Sequence, residues 1–177
     1  GGVSIVTQEL AAFAKYSYDG LGKRIRLTEI GSYANATFQL DVLLLFKQGF
    51  MYKINNKDRT CFKKHLMEDF HPLAIPNDAS LVGQAVLGST SVQGEGLLVN
   101  TWTAKYLSTV TEFGCFPVNT LVSTDSKAWV LVSFYNNIMG IPDPQVFTPP
   151  TFCKGVQLEE EEEEDKHSFL YIDKNVS

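Results

Sequence analysis

From Ala36 to Phe46 the chain alternates with a period of two. Ala36, Phe38, Leu40, Val42, Leu44 and Phe46 fall on one side, and Thr37, Gln39 and Asp41 on the other, until Leu43 and Leu45 make both sides apolar. This pattern predicts a strand that is half-buried at its start and enclosed on both faces toward its end. Lys47-Gln48-Gly49 reads as a turn, with Gly49 free to take a positive φ. Phe50, Tyr52 and Ile54 resume on a return strand that stops at Asn55-Asn56-Lys57-Asp58. An earlier hairpin runs from Phe13 to Tyr18, turns at Asp19-Gly20-Leu21-Gly22 and returns from Lys23 to Ile30, where Arg24, Arg26 and Thr28 alternate with Ile25, Leu27 and Glu29. Further strands are predicted over Ala85–Leu87, Gly96–Lys105, Tyr106–Phe113, Phe116–Ser123 and Ala128–Asn136, rich in Val, Leu, Thr, Phe and Tyr. Eight to ten short strands result, and no long amphipathic helix competes with them.

Two stretches interrupt the meander. Phe70 to Ser80 holds Pro72 and Pro76 and is predicted as a long loop. Ile141 to Cys153 holds Pro142, Pro144, Pro149 and Pro150, an extended strap that cannot join a central strand. The acidic block Glu159–Asp165 reads as a solvated run; the segment Phe169-Leu170-Tyr171-Ile172 after it is apolar enough to dock on the body or on a partner. The organisation expected is one antiparallel β domain over residues 1–158 and an acidic tail over 159–177.

Composition narrows the function. A hydrophobic share of 44% with 12% aromatics is that of a globular chain. A net charge of -5 argues against a nucleic-acid partner, and the short basic stretches Lys23-Arg24-Ile25-Arg26 and Lys63-Lys64-His65 read as solvated strand faces. The longest apolar run, Val42 to Phe46, falls far below the roughly 20 residues of a transmembrane helix. The opening Gly1-Gly2-Val3-Ser4 lacks the marks of a signal peptide and looks like a processed or trimmed start.

Tests for catalysis fail. His65, His71 and His167 are scattered, with no HExxH, GxSxG, phosphate loop or GxGxxG. Cys115, next to Phe116-Pro117, reads as structural, and a polar loop accounts for Glu68, Asp69 and His71, so no enzyme is expected. Cys61, Cys115 and Cys153 are spaced too widely for a zinc ribbon. They leave three readings: buried thiols, one disulfide with a leftover, or a bridge to a missing segment. Asn35-Ala36-Thr37 and Asn175-Val176-Ser177 are N-glycosylation sequons. The EF-hand pattern is absent, and Asp41, Asp78 and Asp143 have no spacing that makes a calcium cage, so no metal ligands are assigned.

An ordered series of segments resembles the ependymin-related family. It runs through Tyr18-Asp19-Gly20-Leu21, Arg24-Ile25-Arg26, Leu44-Leu45-Phe46-Lys47-Gln48-Gly49, Pro72-Leu73-Ala74-Ile75-Pro76, Trp102 and Cys115-Phe116-Pro117-Val118. It ends in the specific stretch Gly140-Ile141-Pro142-Asp143-Pro144-Gln145-Val146-Phe147-Thr148-Pro149-Pro150-Thr151-Phe152-Cys153. The resemblance implies an all-β fold with minor α content: two stacked antiparallel sheets forming a curved half-barrel around an apolar pocket, similar to bacterial lipoprotein carriers. It also implies a secreted or lysosomal glycoprotein, a homodimer, a calcium association, and binding of lipids or other hydrophobic molecules. Cys61 and Cys153 match a family disulfide, whereas Cys115 matches a cysteine whose N-terminal partner is not in this chain. The family's bridge to the extreme C-terminus also lacks its cysteines, as in a divergent, invertebrate-type member.

On this reading the pocket face is supplied by Phe38, Leu40, Val42, Leu44, Phe46, Phe50, Tyr52, Val99, Phe113, Val130, Val132 and Phe134. The function expected is carriage of a lipid or fatty acyl chain, held by apolar area alone. The alternative is an extracellular interaction or signalling factor, serving cell adhesion or chemical communication, in which the sheet is only scaffold.

Overall fold

The computed structural model describes residues 1–124 and 127–159. The expectations for Asn175, for His167 and for the tail beyond Glu159 lie outside these residues. Eleven strands form: β1 (Gly2–Val6), β2 (Leu10–Asp19), β3 (Arg24–Tyr33), β4 (Ala36–Leu45), β5 (Phe50–Asn55), β6 (Thr60–His65), β7 (Ser80–Gly88), β8 (Gly96–Thr103), β9 (Leu107–Thr111), β10 (Pro117–Ser123) and β11 (Trp129–Tyr135). The strap contributes two short 3-10 turns, Pro144–Phe147 and Thr151–Cys153.

All strand neighbours are antiparallel, in the order β6-β5-β4-β3-β2-β1-β11-β10-β9-β8-β7. The expected all-β antiparallel class is therefore observed, and the hydrogen bonding runs through one continuous sheet that does not close into a barrel. The join is β1, a strand the sequence reading passed over. Its Val3 and Ile5 pair with Ala14 and Ala12 of β2 on one side and with Phe134 and Val132 of β11 on the other. Two meanders, β2–β6 and β7–β11, thus become one sheet.

Directly paired residues share a face, so the registers sort every strand into two sides. One side collects Val3, Ile5, Leu10, Ala12, Ala14, Leu27, Val130 and Val132 into the main cluster, with Tyr16, Tyr33, Phe38 and Phe134 packed on it. Leu40, Val42, Leu44 and Met51 continue the same face toward β5. Small residues sit in the middle of it, where curvature brings side chains closest. A Cβ on Gly31 would meet the Ala11 carbonyl oxygen at 2.7 Å and the ring of its pair partner Phe38 at 2.7 Å, so glycine lets that ring lie across the strand.

The opposite, convex side is covered over one half. Leu43, Leu45, Tyr52 and Ile54 pack there against Phe147 and Cys153 of the strap, with Ile141, Val146 and Phe152 around them. Three devices hold the strap down. The Cys61–Cys153 disulfide ties it to β6 with a Cα–Cα distance of 5.2 Å. The Arg24 guanidinium lies 4.6 Å from the centre of the Phe147 ring. Arg26, paired with Asp41 at 2.6 Å, also donates to the Val146 carbonyl. The basic stretch predicted as a solvated face is thus the seat of the strap.

Candidate functional site

The concave face carries a cavity of about 410 Å³. Ile25 and Leu27 of β3 and Leu44 of β4 line it from one half; Ser108 and Val110 of β9, Thr120 and Val122 of β10, and Val132 and Phe134 of β11 line it from the other. Six strand spacings separate β4 from β9 in the sheet order. Laid flat they would span about 29 Å at ~4.8 Å each, so one cavity can touch both only if the sheet curls into a trough.

The proline loop covers this trough. His71, Pro72, Leu73, Ala74, Ile75, Pro76 and Asp78 all line the cavity. The loop is held by aromatic contacts: Phe70 stacks on Tyr18 at 5.7 Å and meets Phe46 edge-on at 5.2 Å. The Leu73 N–H donates to the Tyr18 hydroxyl at 3.0 Å. Prolines at 72 and 76 suit a segment that contributes side chains but no ladder hydrogen bonds.

Polar groups at the wall are few and partnered. The Tyr16 hydroxyl donates to the Asn137 side-chain oxygen, and the Asn137 amide donates to the Pro117 carbonyl at 2.9 Å. Burial pushes the Tyr16 hydroxyl above its ordinary pKa of 10.0, so it stays a neutral donor. Glu29, fully enclosed, lies on the same face between Ala14 and Leu40. Lys105, His71 and Asp78 bring charge or polarity to the cavity's border.

The structure brings together part of the predicted pocket set. Leu44, Val132 and Phe134 line the cavity itself. Phe38, Leu40, Val42 and Phe46 share their face, as does Val130, and fill the core beside it. Phe50 and Tyr52 fall elsewhere. The Phe46–Gly49 turn sets Met51 opposite Leu44, which sends Phe50 and Tyr52 to the convex side beneath the strap. Val99 is buried on the convex side, opposite Thr111, and Phe113 is exposed in the β9–β10 turn. Asn35 stands exposed at the β3–β4 turn, where Ala34 and Asn35 both take positive φ (47° and 67°), as a two-residue hairpin turn requires. Cys115 is a free thiol with φ 53° and borders the cavity.

Several lining residues were missed, although β2 carries a signal for two of them: Tyr16 and Tyr18 continue the face on which Leu10, Ala12 and Ala14 recur at every second position. The loop lining has no periodic signal, because a covering loop obeys no strand repeat.

No group of three or more His, Cys, Asp or Glu comes together among the described residues. Asp41 is taken by Arg26 and Asn56, and Asp143 accepts the Gln145 N–H at the start of a 3-10 turn.

Comparison with known proteins places this architecture. Residues 34–153 match the family model described as Ependymin. Ependymin-1 of Oncorhynchus mykiss is 37% identical over 176 residues, covering 95% of this chain and 79% of that protein. Ependymin-2 of Carassius auratus is 36% identical over 166 residues, covering 90% and 76%. Ependymin of Clupea harengus is 30% identical over 159 residues, covering 85% and 75%. With more than half of its length inside the family model and relatives above 30% identity along nearly all of it, this chain belongs to the ependymin family.

Proposed function

We propose that the trough holds a hydrophobic small molecule, such as a lipid or fatty acyl chain, as an extracellular carrier without catalysis. The observation that carries this reading is the cavity of about 410 Å³, lined by apolar side chains from both halves of the sheet and covered by the proline loop. Its volume falls in the ~300–1,000 Å³ range of small-molecule sites, where apolar walls supply affinity and a few polar groups supply orientation. Each buried methylene of a ligand contributes about 0.8 kcal/mol, so an acyl chain needs no charged partner to be retained. The setting is outside the cell: ependymins are secreted, and a strand-to-strap disulfide belongs to an oxidising compartment.

The test has two arms. Protein purified natively from a eukaryotic secretory host should yield an amphiphile on organic extraction and mass spectrometry. Thr120→Trp, at a half-buried position on the cavity wall, should weaken binding of a pyrene-labelled fatty acid at least tenfold. Leu131→Trp, on the convex face, should leave it unchanged. No extractable ligand together with no probe binding would sink the proposal.

A further inference from the structure

We infer that residues 66–79 are a lid on the trough, clasped shut by Phe70 against Tyr18 and Phe46, and that release of this clasp sets the rate of ligand exchange. The inference rests on the reading of the cavity as a ligand site. β6 and β7 are consecutive in the chain but stand at opposite ends of the sheet order. The segment that joins them therefore crosses from one rim of the trough to the other, and His71 to Pro76 and Asp78 line the cavity on the way. The strands that line it, β1–β4 and β9–β11, are hydrogen-bonded to neighbours on both sides, so no two of them part without loss of a ladder.

The lid has no such fastening. Among the described residues, one hydrogen bond ties residues 69–79 to the sheet, from the Leu73 N–H to the Tyr18 hydroxyl at 3.0 Å. The Ala74 N–H to Pro72 carbonyl bond and the Ala79 N–H to Pro76 carbonyl bond stay within the segment. Pro72 and Pro76 fix φ at two points, so the stretch between them moves as a stiff unit. Hold on the sheet falls to the Phe70 ring, which stacks on Tyr18 of β2 at 5.7 Å and meets Phe46, just past β4, edge-on at 5.2 Å. Phe70 is half-buried and does not line the cavity, so it fastens the lid without touching what lies inside. This position has a kinetic signature. A gate governs entry and exit alike, so weakening it speeds both and leaves affinity in place, whereas loss of a wall residue speeds release alone.

Stopped-flow mixing of the full chain with the pyrene-labelled fatty acid reads both rates. Phe70→Ala should raise association and release roughly tenfold each, with the dissociation constant within about threefold of the parent. Phe13→Ala, which removes an exposed ring on the convex face, should change neither rate. A cross-link should act in the opposite direction. In a Cys115→Ser background, Tyr18→Cys with Leu73→Cys removes the lid's hydrogen bond to the sheet. Joining the two thiols with a flexible bismaleimide should slow release at least tenfold against the same protein left unlinked. Release that rises alone, with the dissociation constant rising in step, makes Phe70 a support of the wall and overturns the lid. Exchange indifferent to Phe70→Ala in the folded protein, or to the link, also overturns it and leaves the ligand site standing. A parent that binds no probe removes the site reading and the lid with it.

Discussion

The two ends of the sheet are built in opposite ways. At β6 the edge is short and basic, with Lys63, Lys64 and His65 in six residues. It is also covered: Lys63 bridges Leu158 in parallel, and the Glu159 N–H donates to the Lys63 carbonyl at 3.0 Å. Cys61 is bonded to the strap, and the Lys63 ammonium lies 4.1 Å from the Phe50 ring centre. At β7 the edge is nine residues long and uncharged, with both faces open. Edge protection in β proteins is thus a local property. One sheet can seal the end that bears its strap and leave the other free to pair.

Breaking the seal should have the largest effect. Replacing Cys61 and Cys153 together by Ser opens a loop of sequence separation 92 and should cost about 4 kcal/mol, read from urea unfolding. The same variant uncovers β6. If basic residues suffice to guard it, the oligomeric state stays that of the parent; new higher-order species would show that the strap was the guard.

Next in size is the ion pair beneath the strap. Arg26 and Asp41 keep only 15% and 7% of their side-chain surface. Arg26→Met strands an enclosed carboxylate and should cost about 3 kcal/mol in the same unfolding assay. A double Arg26→Met, Asp41→Leu variant should recover part of that loss, since apolar replacement of a buried pair is often neutral.

The smallest effect is acid-dependent. Asp19 accepts the Gly22 N–H and the Arg24 guanidinium, which hold its carboxyl below the ordinary value of 3.8. A folded-state pKa that is depressed gives stability present above the unfolded value and lost as pH falls through the folded one. Thermal melts from pH 5 down to pH 2 should therefore fall more steeply for the parent than for Asp19→Asn, with the curves converging in the acid. Because Arg24 also lies over Phe147, any extra loss in Asp19→Asn at neutral pH reports on the strap. At the other edge, Val86→Lys on the exposed β7 should leave unfolding within about 0.5 kcal/mol of the parent.

Legibility differed between elements for physical reasons. β2, β3, β4 and β5 alternate strongly, and Gly49 with φ 74° ends the β4–β5 hairpin where the turn residues predict. β1 escaped notice because five residues beginning at Gly2 carry too few alternations to stand out. β6 escaped because polar and basic side chains alternate there without an apolar face. Glu29 sits in the apolar phase of β3, and the alternation placed it with Ile25 and Leu27, where the structure encloses it. The cavity was half legible. Leu44, Val132 and Phe134 could be named from their strands, but Phe50 and Tyr52 could not be told from concave residues before the β4–β5 register was known.

The sequence by itself determined an antiparallel β chain, the loop and the strap, because side-chain period and proline are local properties. The segments matching the family also pointed to the Cys61–Cys153 pair. Tertiary structure alone decided that β1 joins two meanders into one sheet and that the sheet curls into a trough. It also decided that the proline loop closes one edge of a cavity while β7 is left at the rim. Those outcomes depend on which strand meets which and on how twist accumulates over eleven of them, and neither is encoded in any single stretch of chain.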